Sequence, residues 1–522
     1  MLSAGLACAS WHPLPTTFLI FVAFVPMLLV GEAIILANPK RIKLQFWLYT
    51  YNALLWWNVG TTWWIWNSTH EGAIAANVLN AALMTIPWML YFWVRRRVGL
   101  WPAMGVLLVA WLLFEIVHLR WDLTWPWLTL GNVFAQQPNW VQWYSLTGAL
   151  GGSAWVLWIN FIVFIGFVSL GTYPLAKAFC WGVAAFLLMI TLSYGMVPWV
   201  LPSASQTVEV VVVQPNIDPY TQKFEGTPQF IPFAAQLKRM IRLSREKIGP
   251  DTRFLLWPET ALDAYMNEDE LESERLLDTL QQFVNGYKDL NLIVGASTYK
   301  IYGSKESAPA GARFSTGVGY YDSYNTALHL RSGRALGDSI PYYHKSKLVP
   351  GVEGMPYPAV LGPLSALVID LGGTSGGLGR QPEREVFTSA SGVSVGPAIC
   401  YESIYGDFMA DFNRVGGMFI GIITNDAWWG NTNGHIQHFH MARLRAIESR
   451  RYIARSANTG ISGYIDPLGK VLATLPYATA GVLSRKIGVS NEHTLYMLLG
   501  DYYTFAFVAF LCLLFFRKQP SA

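Results

Sequence analysis

Long, nearly uninterrupted apolar runs fill the first two hundred residues, whereas from about Ser205 to Glu492 short apolar runs alternate with charged and turn-rich stretches. A membrane-spanning helix needs roughly 20 apolar residues. The pattern predicts spans over Thr17 to Leu36, Phe46 to Trp66, Ala73 to Trp93, Gly99 to His118, Gly152 to Leu170, Ala178 to Val200 and, last, about Tyr503 to Phe516. The first dozen residues, MLSAGLACASWH, are apolar but short and read as an abbreviated span or a re-entrant stub, for a total of seven or eight spans. A cleaved signal peptide is the rival reading of this stretch, but a basic n-region is missing and the hydrophobicity simply continues.

Between these apolar blocks, short β-rich runs bounded by turn residues predict strands over Val208–Asn216, Phe254–Glu259, Leu292–Ser297, Asn325–Leu330, Val393–Cys400 and Met418–Asn425. Helical periodicity with charged faces predicts helices over Phe230–Ile248, Glu270–Tyr287 and Ile436–Ala454. The reading is a multi-pass helical bundle (1–203), an α/β layered domain (204–492) and a C-terminal membrane anchor (493–522). Periodicity leaves strand order open. The Gly-rich, polar stretch from Leu371 to Glu385 reads as a mobile loop, and Gly372 to Arg380 as the segment that admits substrates. It lacks the GK[ST] ending of a phosphate loop.

Composition agrees with a membrane protein: of 522 residues, 52% are hydrophobic, 15% aromatic and only 13% charged. Net charge is +4 and no basic block is longer than Arg95 to Arg97, which argues against a nucleic-acid surface. Lys40, Arg41 and Lys43, Arg95 to Arg97, Lys177, and Arg517 with Lys518 fall in loops on one side of the predicted membrane. By the positive-inside rule that side is cytoplasmic, and the α/β domain lies outside the cytoplasm. Trp56, Trp57, Trp63, Trp64 and Trp66 near one span end read as interfacial anchors that could also hold acyl chains.

Cys8, Cys180 and Cys512 lie in apolar segments, so Cys400 has no disulfide partner in the α/β domain. An unpaired thiol in an oxidising compartment is a liability unless buried or used. Cys400 ends a run of small and β-branched residues, VSVGPAICYES, as a strand does when it delivers a nucleophile to an exposed edge. Glu259 closes the apolar run FLLWPET, and Lys345 lies in YYHKSKLVP; together they offer a base, a cation and a nucleophile. The bland alternatives are a buried structural thiol, a helix-capping Glu259, and Lys347 as the relevant lysine. His435, His438 and His440 form an HxxHxH pattern that suits a metal, but three histidines at a helix start are more often surface or packing residues; no metal or cofactor is expected.

LLWPET with Glu259, YHKSKLVPGVE with Lys345 and Glu353, and AICYES with Cys400 resemble the Glu-Lys-Cys signatures of the nitrilase (carbon-nitrogen hydrolase) superfamily. The flanking membrane segments narrow the resemblance to the apolipoprotein N-acyltransferase family. QPNI at Gln214 to Ile217, TNDAWWG at Thr424 to Gly430, QHFHMARLRAIES around His438 and NTGISGYIDPLGKV at Asn458 to Val471 follow in that family's order. The resemblance implies an αββα sandwich in the soluble domain and a multi-pass protein of the bacterial inner membrane whose catalytic domain faces the periplasm. It implies a phospholipid acyl donor, usually phosphatidylethanolamine, and as acceptors apolipoproteins whose N-terminal cysteine carries diacylglyceryl. On the matching positions, Cys400 is the nucleophile of a thioester ping-pong reaction, Glu259 its general base and Lys345 the oxyanion-stabilising cation that also depresses the thiol pKa. Beside these, Glu353 and Glu402 read as carboxylates that orient Lys345 or the thiol, with a solvated or structural carboxylate the alternative for Glu402, and Tyr401 as a residue lining the pocket.

Departures from the family pattern are Pro215 in place of a glycine, Phe224 in place of a tryptophan and LVPGVE in place of LVPFGE. They leave the triad intact and touch the loops that shape the lipid pocket. Two readings of other classes remain: a membrane-anchored amidase using water as acceptor, and a non-enzymatic transporter or lipid-binding protein.

Overall fold

The computed structural model describes residues 1–168, 175–200, 206–309, 312–335, 337–357, 377–502, 504–505 and 508–509. It divides into two compact units, Met1–Val200 with Thr494–Ala522, and Leu201–His493.

The first unit is helical: α1 (Leu2–Ser10), α2 (Val25–Ala37), α3 (Ile42–Thr62), α4 (His70–Arg97), α5 (Leu100–His118), α6 (Tyr144–Val168) and α7 (Leu175–Val200). Among the described residues five helical stretches are long and apolar enough to cross a membrane: Thr17–Ala37, His70–Arg97, Leu100–His118, Tyr144–Val168 and Cys180–Pro198. Helix α3, where the sequence predicts a span over Phe46 to Trp66, is long enough but carries polar positions that pair inward instead. Asn58 Nδ2 donates to the Leu54 carbonyl at 2.9 Å, and Asn80 Nδ2 of α4 donates to Asn58 Oδ1 at 2.7 Å. The tryptophans read as anchors divide: Trp57 and Trp64 are core residues, while Trp56, Trp63 and Trp66 are exposed. The span predicted from Tyr503, with Cys512, lies outside the described residues apart from 504–505 and 508–509.

The second unit holds two sheets. The larger contains β1 (Gln206–Gln214), β2 (Thr252–Leu256), β3 (Leu262–Asn267), β4 (Asn291–Tyr302), β5 (Arg313–Ser315), β6 (Gly319–Arg331), β7 (Tyr342–His344) and β14 (Gly481–Val489), with the main order β14-β1-β2-β4-β6-β5. The smaller runs β13-β12-β11-β10-β9-β8, from β8 (Phe387–Thr388), β9 (Ser394–Ile399), β10 (Phe419–Thr424), β11 (Ile453–Ala457), β12 (Ser462–Ile465) and β13 (Val471–Leu475). Strands β1, β2 and β4 are mutually parallel, as are β9, β10 and β11. Parallel strands buried on both faces read as continuous apolar runs. VEVVVV and FIGII are such runs, which is why their positions show in the sequence.

The sheets pack face to face. Phe254 of β2 meets Phe419 of β10 edge to face at 5.1 Å, and Ser456 Oγ of β11 donates to the Val213 carbonyl of β1 at 2.7 Å. On the outer face of the larger sheet, α8 (Phe233–Arg245) and α9 (Arg275–Asn285) bury Leu237, Met240, Leu277 and Leu280 against Val211, Leu255 and Leu292. Each fully buried aliphatic side chain is worth roughly 1.5–3 kcal/mol. Helices α10 (Gly406–Arg414) and α11 (Asn433–Ser449) cover the smaller sheet, so the unit is a four-layer αββα sandwich. Helix α11 is shorter than the predicted Ile436 to Ala454: Arg450 turns left-handed (φ 49°), and the chain re-enters the sheet as β11.

Candidate active site

In open α/β sheets the ends of parallel strands are the positions at which loops gather functional side chains. Cys400 follows β9 directly, with φ 50°, a left-handed conformation costly for a residue bearing Cβ. The chain bends there into a 3₁₀ turn, Cys400–Ile404, and leaves Cys400 buried, 7% exposed as a residue. Glu402, fully buried in that turn, ties it to the loop after β7. Its carboxylate accepts the Ile399 N–H at 2.8 Å, the Ser346 N–H at 2.6 Å and the Tyr343 hydroxyl at 2.8 Å. Tyr401 is buried and packs edge to face on Tyr405 at 5.4 Å.

Glu259 and Lys345 come from the opposite sheet. Glu259 lies just past β2 and Lys345 just past β7, where its N–H donates to the Asn325 carbonyl at 2.8 Å. Lys345 Nζ donates to Glu259 Oε1 at 3.0 Å and to Glu353 Oε1 at 2.7 Å. Asn325 Nδ2 donates to Glu259 Oε1 at 2.7 Å, and the Asn425 N–H at the end of β10 donates to Glu259 Oε2 at 3.0 Å. Glu353 Oε2 accepts the Val349 N–H at 2.9 Å. Two of the three ammonium protons are thus used, and a carboxylate with about four lone-pair sites still has room on Oε2 of Glu259.

Charge coupling brings the thiol into this group. Burial pushes the Cys400 thiol up, the Glu259 carboxylate pushes it further, and Lys345 only partly opposes them, so the thiol titrates well above its ordinary value. Lys345 does depress the thiol, as the sequence reading has it, but desolvation and the neighbouring carboxylates outweigh it, so the thiol rests neutral. Burial pulls Lys345 down, but Glu259, Glu353 and Cys400 more than offset it, holding the ammonium charged well above its usual range.

Glu259 caps no helix; Thr260 (φ 49°) and β3 follow it. Lys347 leaves the cluster, its ammonium lying over the Tyr405 ring at 5.0 Å. The three histidines take separate partners: His435 stacks on Tyr477, His440 meets Arg443, and His438 is wholly buried beside Asp426. Residues 358–376, with most of the predicted substrate-admitting loop, lie outside the described residues. Past them, the Gly379 N–H donates to the Ser323 carbonyl at 2.8 Å.

Sequence reasoning missed Asn325, which bridges Glu259 and Glu353, and Lys223, a buried lysine whose ammonium donates to Thr260 Oγ1 beside Glu259. It also missed Gly295 of β4, where an added Cβ would stand 2.6 Å from Glu259 Cα, the Pro258 carbonyl and the Thr260 nitrogen. All three close neighbours are backbone, so Gly295→Ala must displace the Glu259 loop. About a 10²-fold fall in kcat is expected, from a misplacement on the order of 1 Å, with Cys400 still present as a titratable thiol; steady-state kinetics with thiol counting checks this.

A family model described as carbon-nitrogen hydrolase matches residues 210–492, more than half the chain, from within β1 to past β14. The chain belongs to the carbon-nitrogen hydrolase family. A second model, apolipoprotein N-acyltransferase N-terminal domain, matches residues 3–162 in the helical unit. The chain is 28% identical over 502 residues to the apolipoprotein N-acyltransferase of Chlorobaculum tepidum, covering 94% of this chain and 90% of that one. It is 30% identical to that of Rickettsia prowazekii, covering 70% and 66%, and 27% identical to that of Pseudomonas paraeruginosa, covering 86% and 82%. Within the carbon-nitrogen hydrolases it falls in the apolipoprotein N-acyltransferase branch. Among solved structures it is similar to Nit3 of Saccharomyces cerevisiae, a nitrilase-superfamily member, at 16% identity and a TM-score of 0.36, covering 56% of this chain and 94% of that one.

Proposed function

We propose that this chain transfers an acyl chain from a phospholipid, phosphatidylethanolamine first among candidates, to the N-terminal amine of apolipoproteins whose terminal cysteine carries diacylglyceryl. One observation carries the reading: a buried thiol is charge-coupled to a hydrogen-bonded carboxylate and ammonium in a chain whose other unit matches the N-terminal domain of apolipoprotein N-acyltransferases. The setting is a multi-pass bundle (1–203) in a bacterial inner membrane, a catalytic domain (204–492) facing the periplasm and a C-terminal anchor (493–522).

Glu259 takes the proton of Cys400 as Sγ attacks the ester carbonyl carbon. The uncommitted proton of Lys345 Nζ and a backbone N–H beside Cys400 stabilise the oxyanion. The carbon–oxygen bond breaks, the proton on Glu259 passes to the departing alkoxide, and lysophospholipid leaves a thioester on Cys400. The lipoprotein amine then attacks that thioester, Glu259 accepts its proton, and breaking of the carbon–sulfur bond restores the thiol. Because the thiol is neutral at rest, proton transfer accompanies attack and no standing thiolate is needed. Glu353 holds Lys345 from its far side, while Glu402 and Tyr401 shape the turn that carries the nucleophile.

The test is the intact mass of the purified full chain after incubation with phosphatidylethanolamine, beside Cys400→Ala. A hydroxylamine-labile acyl adduct on the wild type alone, discharged as amide by a diacylglyceryl-cysteine peptide, supports the reading. Discharge to free acid regardless of the peptide would assign water as acceptor, and absence of any adduct from several phospholipids would sink the lipid donor.

A further inference from the structure

Beneath the nucleophile lies a buried polar network that the roles above do not use. The Cys400 carbonyl accepts the Ser403 hydroxyl at 2.7 Å and faces His438 Nε2 at 3.2 Å. Nε2 also stands 2.9 Å from Ser403 Oγ; with the serine hydroxyl donating to the carbonyl, and a carbonyl able only to accept, one proton on Nε2 serves both contacts. On the other side of the ring, Nδ1 stands 2.9 Å from Asp426 Oδ1 and 3.0 Å from Arg455 Nη2. Asp426 is itself fixed by Arg455 on Oδ2 at 2.6 Å and by the Thr424 hydroxyl on Oδ1 at 2.8 Å. Ser403, His438, Asp426 and Arg455 are all fully buried, and an added Cβ on Gly460 would meet Asp426 Oδ2 at 2.5 Å. Helix α11 thus supplies the ring that reaches this backbone oxygen, while Thr424 of β10 and Arg455 of β11 hold the Asp426 beside that ring.

That oxygen belongs to the peptide joining Cys400 to Tyr401. A trans peptide is planar, with its C=O and N–H pointing in opposite directions. Holding the carbonyl down into the network therefore aims the Tyr401 N–H the other way. Without the network those two hydrogen bonds no longer fix ψ of Cys400, and the plane is free to rotate about the Cα–C bond.

We propose that His438 is a positioning residue which, with Ser403, locks the Cys400–Tyr401 peptide so that the Tyr401 N–H serves as the backbone donor to the oxyanion formed when Cys400 attacks an acyl carbonyl. The inference rests on the acyl-transfer reading above and adds the device that orients one of its two oxyanion donors. Loss of Asp426 or Arg455 would uncover a buried charge. Loss of His438 or Ser403 leaves that ion pair intact, which makes these two the informative positions.

Two reactions of the same sulfur separate the proposal from a general structural role. Acylation by an ester passes through a tetrahedral oxyanion. Alkylation by iodoacetamide does not: sulfur displaces iodide, a carbon–sulfur bond forms as carbon–iodine breaks, and the thiol proton goes to solvent. Full-length His438→Gln and Ser403→Ala, in detergent beside the wild type, are given a p-nitrophenyl acyl ester, phosphatidylethanolamine or iodoacetamide. We expect both variants to lose about 10- to 100-fold in the rate of acyl-enzyme formation, less than the loss of a whole donor. Half-saturation by the ester and the rate of Cys400 alkylation should stay within about twofold of wild type, since neither involves the oxyanion donor. Acylation and alkylation falling in parallel, or acylation unchanged in both variants, would overturn the inference. Ser403→Ala removes one hydroxyl and guards against misfolding of the histidine variant. A wild type labelled by the p-nitrophenyl ester but not by phosphatidylethanolamine would overturn the phospholipid donor while the ester rates still decide on His438; a wild type labelled by neither would overturn both.

Discussion

Lys345→Met is expected to reduce turnover to near background and to destabilise the protein by about 3–5 kcal/mol at pH 7, the usual cost of breaking a buried ion pair by removing one partner. The ammonium is buried between the carboxylates of Glu259 and Glu353, 3.0 and 2.7 Å away, and both lean on the single amide of Asn325. Methionine fills a similar volume but leaves two negative charges facing each other, so one carboxylate in the folded variant takes up a proton. Its folded pKa is then raised above the unfolded value. A group of that kind contributes stability below its unfolded pKa and loses it as pH rises through the folded one. The variant's deficit should therefore be largest at neutral pH and shrink toward pH 5, which thermal denaturation in detergent at the two pH values measures. Adding Glu353→Gln to Lys345→Met removes one of the facing charges and should recover most of the stability but none of the acyl transfer. Recovery of transfer in the double variant would show that the lysine acts only by balancing charge. One oxyanion donor alone is worth roughly 10²–10³ in kcat, and displacement of Glu259 adds to the loss.

The three groups named from sequence lie at or just past the ends of β2, β7 and β9: the sequence predicts strands ending at Glu259 and Cys400, whereas it predicts none at β7 and Lys345 stands out only by its motif YYHKSKLVP. What shapes their chemistry is contributed at long range. Asn325 reaches Glu259 across 66 residues, and Asn425 reaches it across 166. Gly295 matters because another segment's backbone passes over it. His438 sits in a pattern of three histidines that suggests surface or packing, and only the fold reveals that its ring meets the carbonyl of Cys400. The missed strands have a local cause too. Strands β12 to β14 are mostly short or polar on one face, and the predicted helix runs on into Ile453 and Ala454 of β11 because nothing in ESRRYIAR announces the left-handed turn at Arg450. The sign of the thiol shift was beyond sequence altogether, since it depends on how far burial and one carboxylate outweigh one ammonium.

Glu259→Gln should move two reactions of Cys400 in opposite directions. Acyl transfer is expected to fall by roughly 10²–10⁴-fold, the usual contribution of a positioned general base. The side-chain oxygen can still accept from Asn325 and Lys345, but the new amide nitrogen faces the Asn425 N–H and that bond is lost. Alkylation by iodoacetamide should instead become faster at a given pH. In the wild type, burial and then the Glu259 charge hold the thiol protonated against the pull of Lys345. Removing that carboxylate charge deletes the largest charge contribution that raises the thiol pKa, leaves burial and the weaker push of Asp426, and keeps the ammonium that lowers it, so the thiolate fraction at pH 7–8 increases. The wild-type rate should rise with pH through this range and beyond, because its thiol titrates above the ordinary value, and the variant's profile should be displaced to lower pH. Rates of mass-resolved alkylation against pH for the two proteins decide the matter. A variant profile displaced upward would mean that Glu259 draws the thiol proton at rest, as in a standing thiolate pair. An unchanged profile would mean that the carboxylate lies too far from the sulfur to serve as its base.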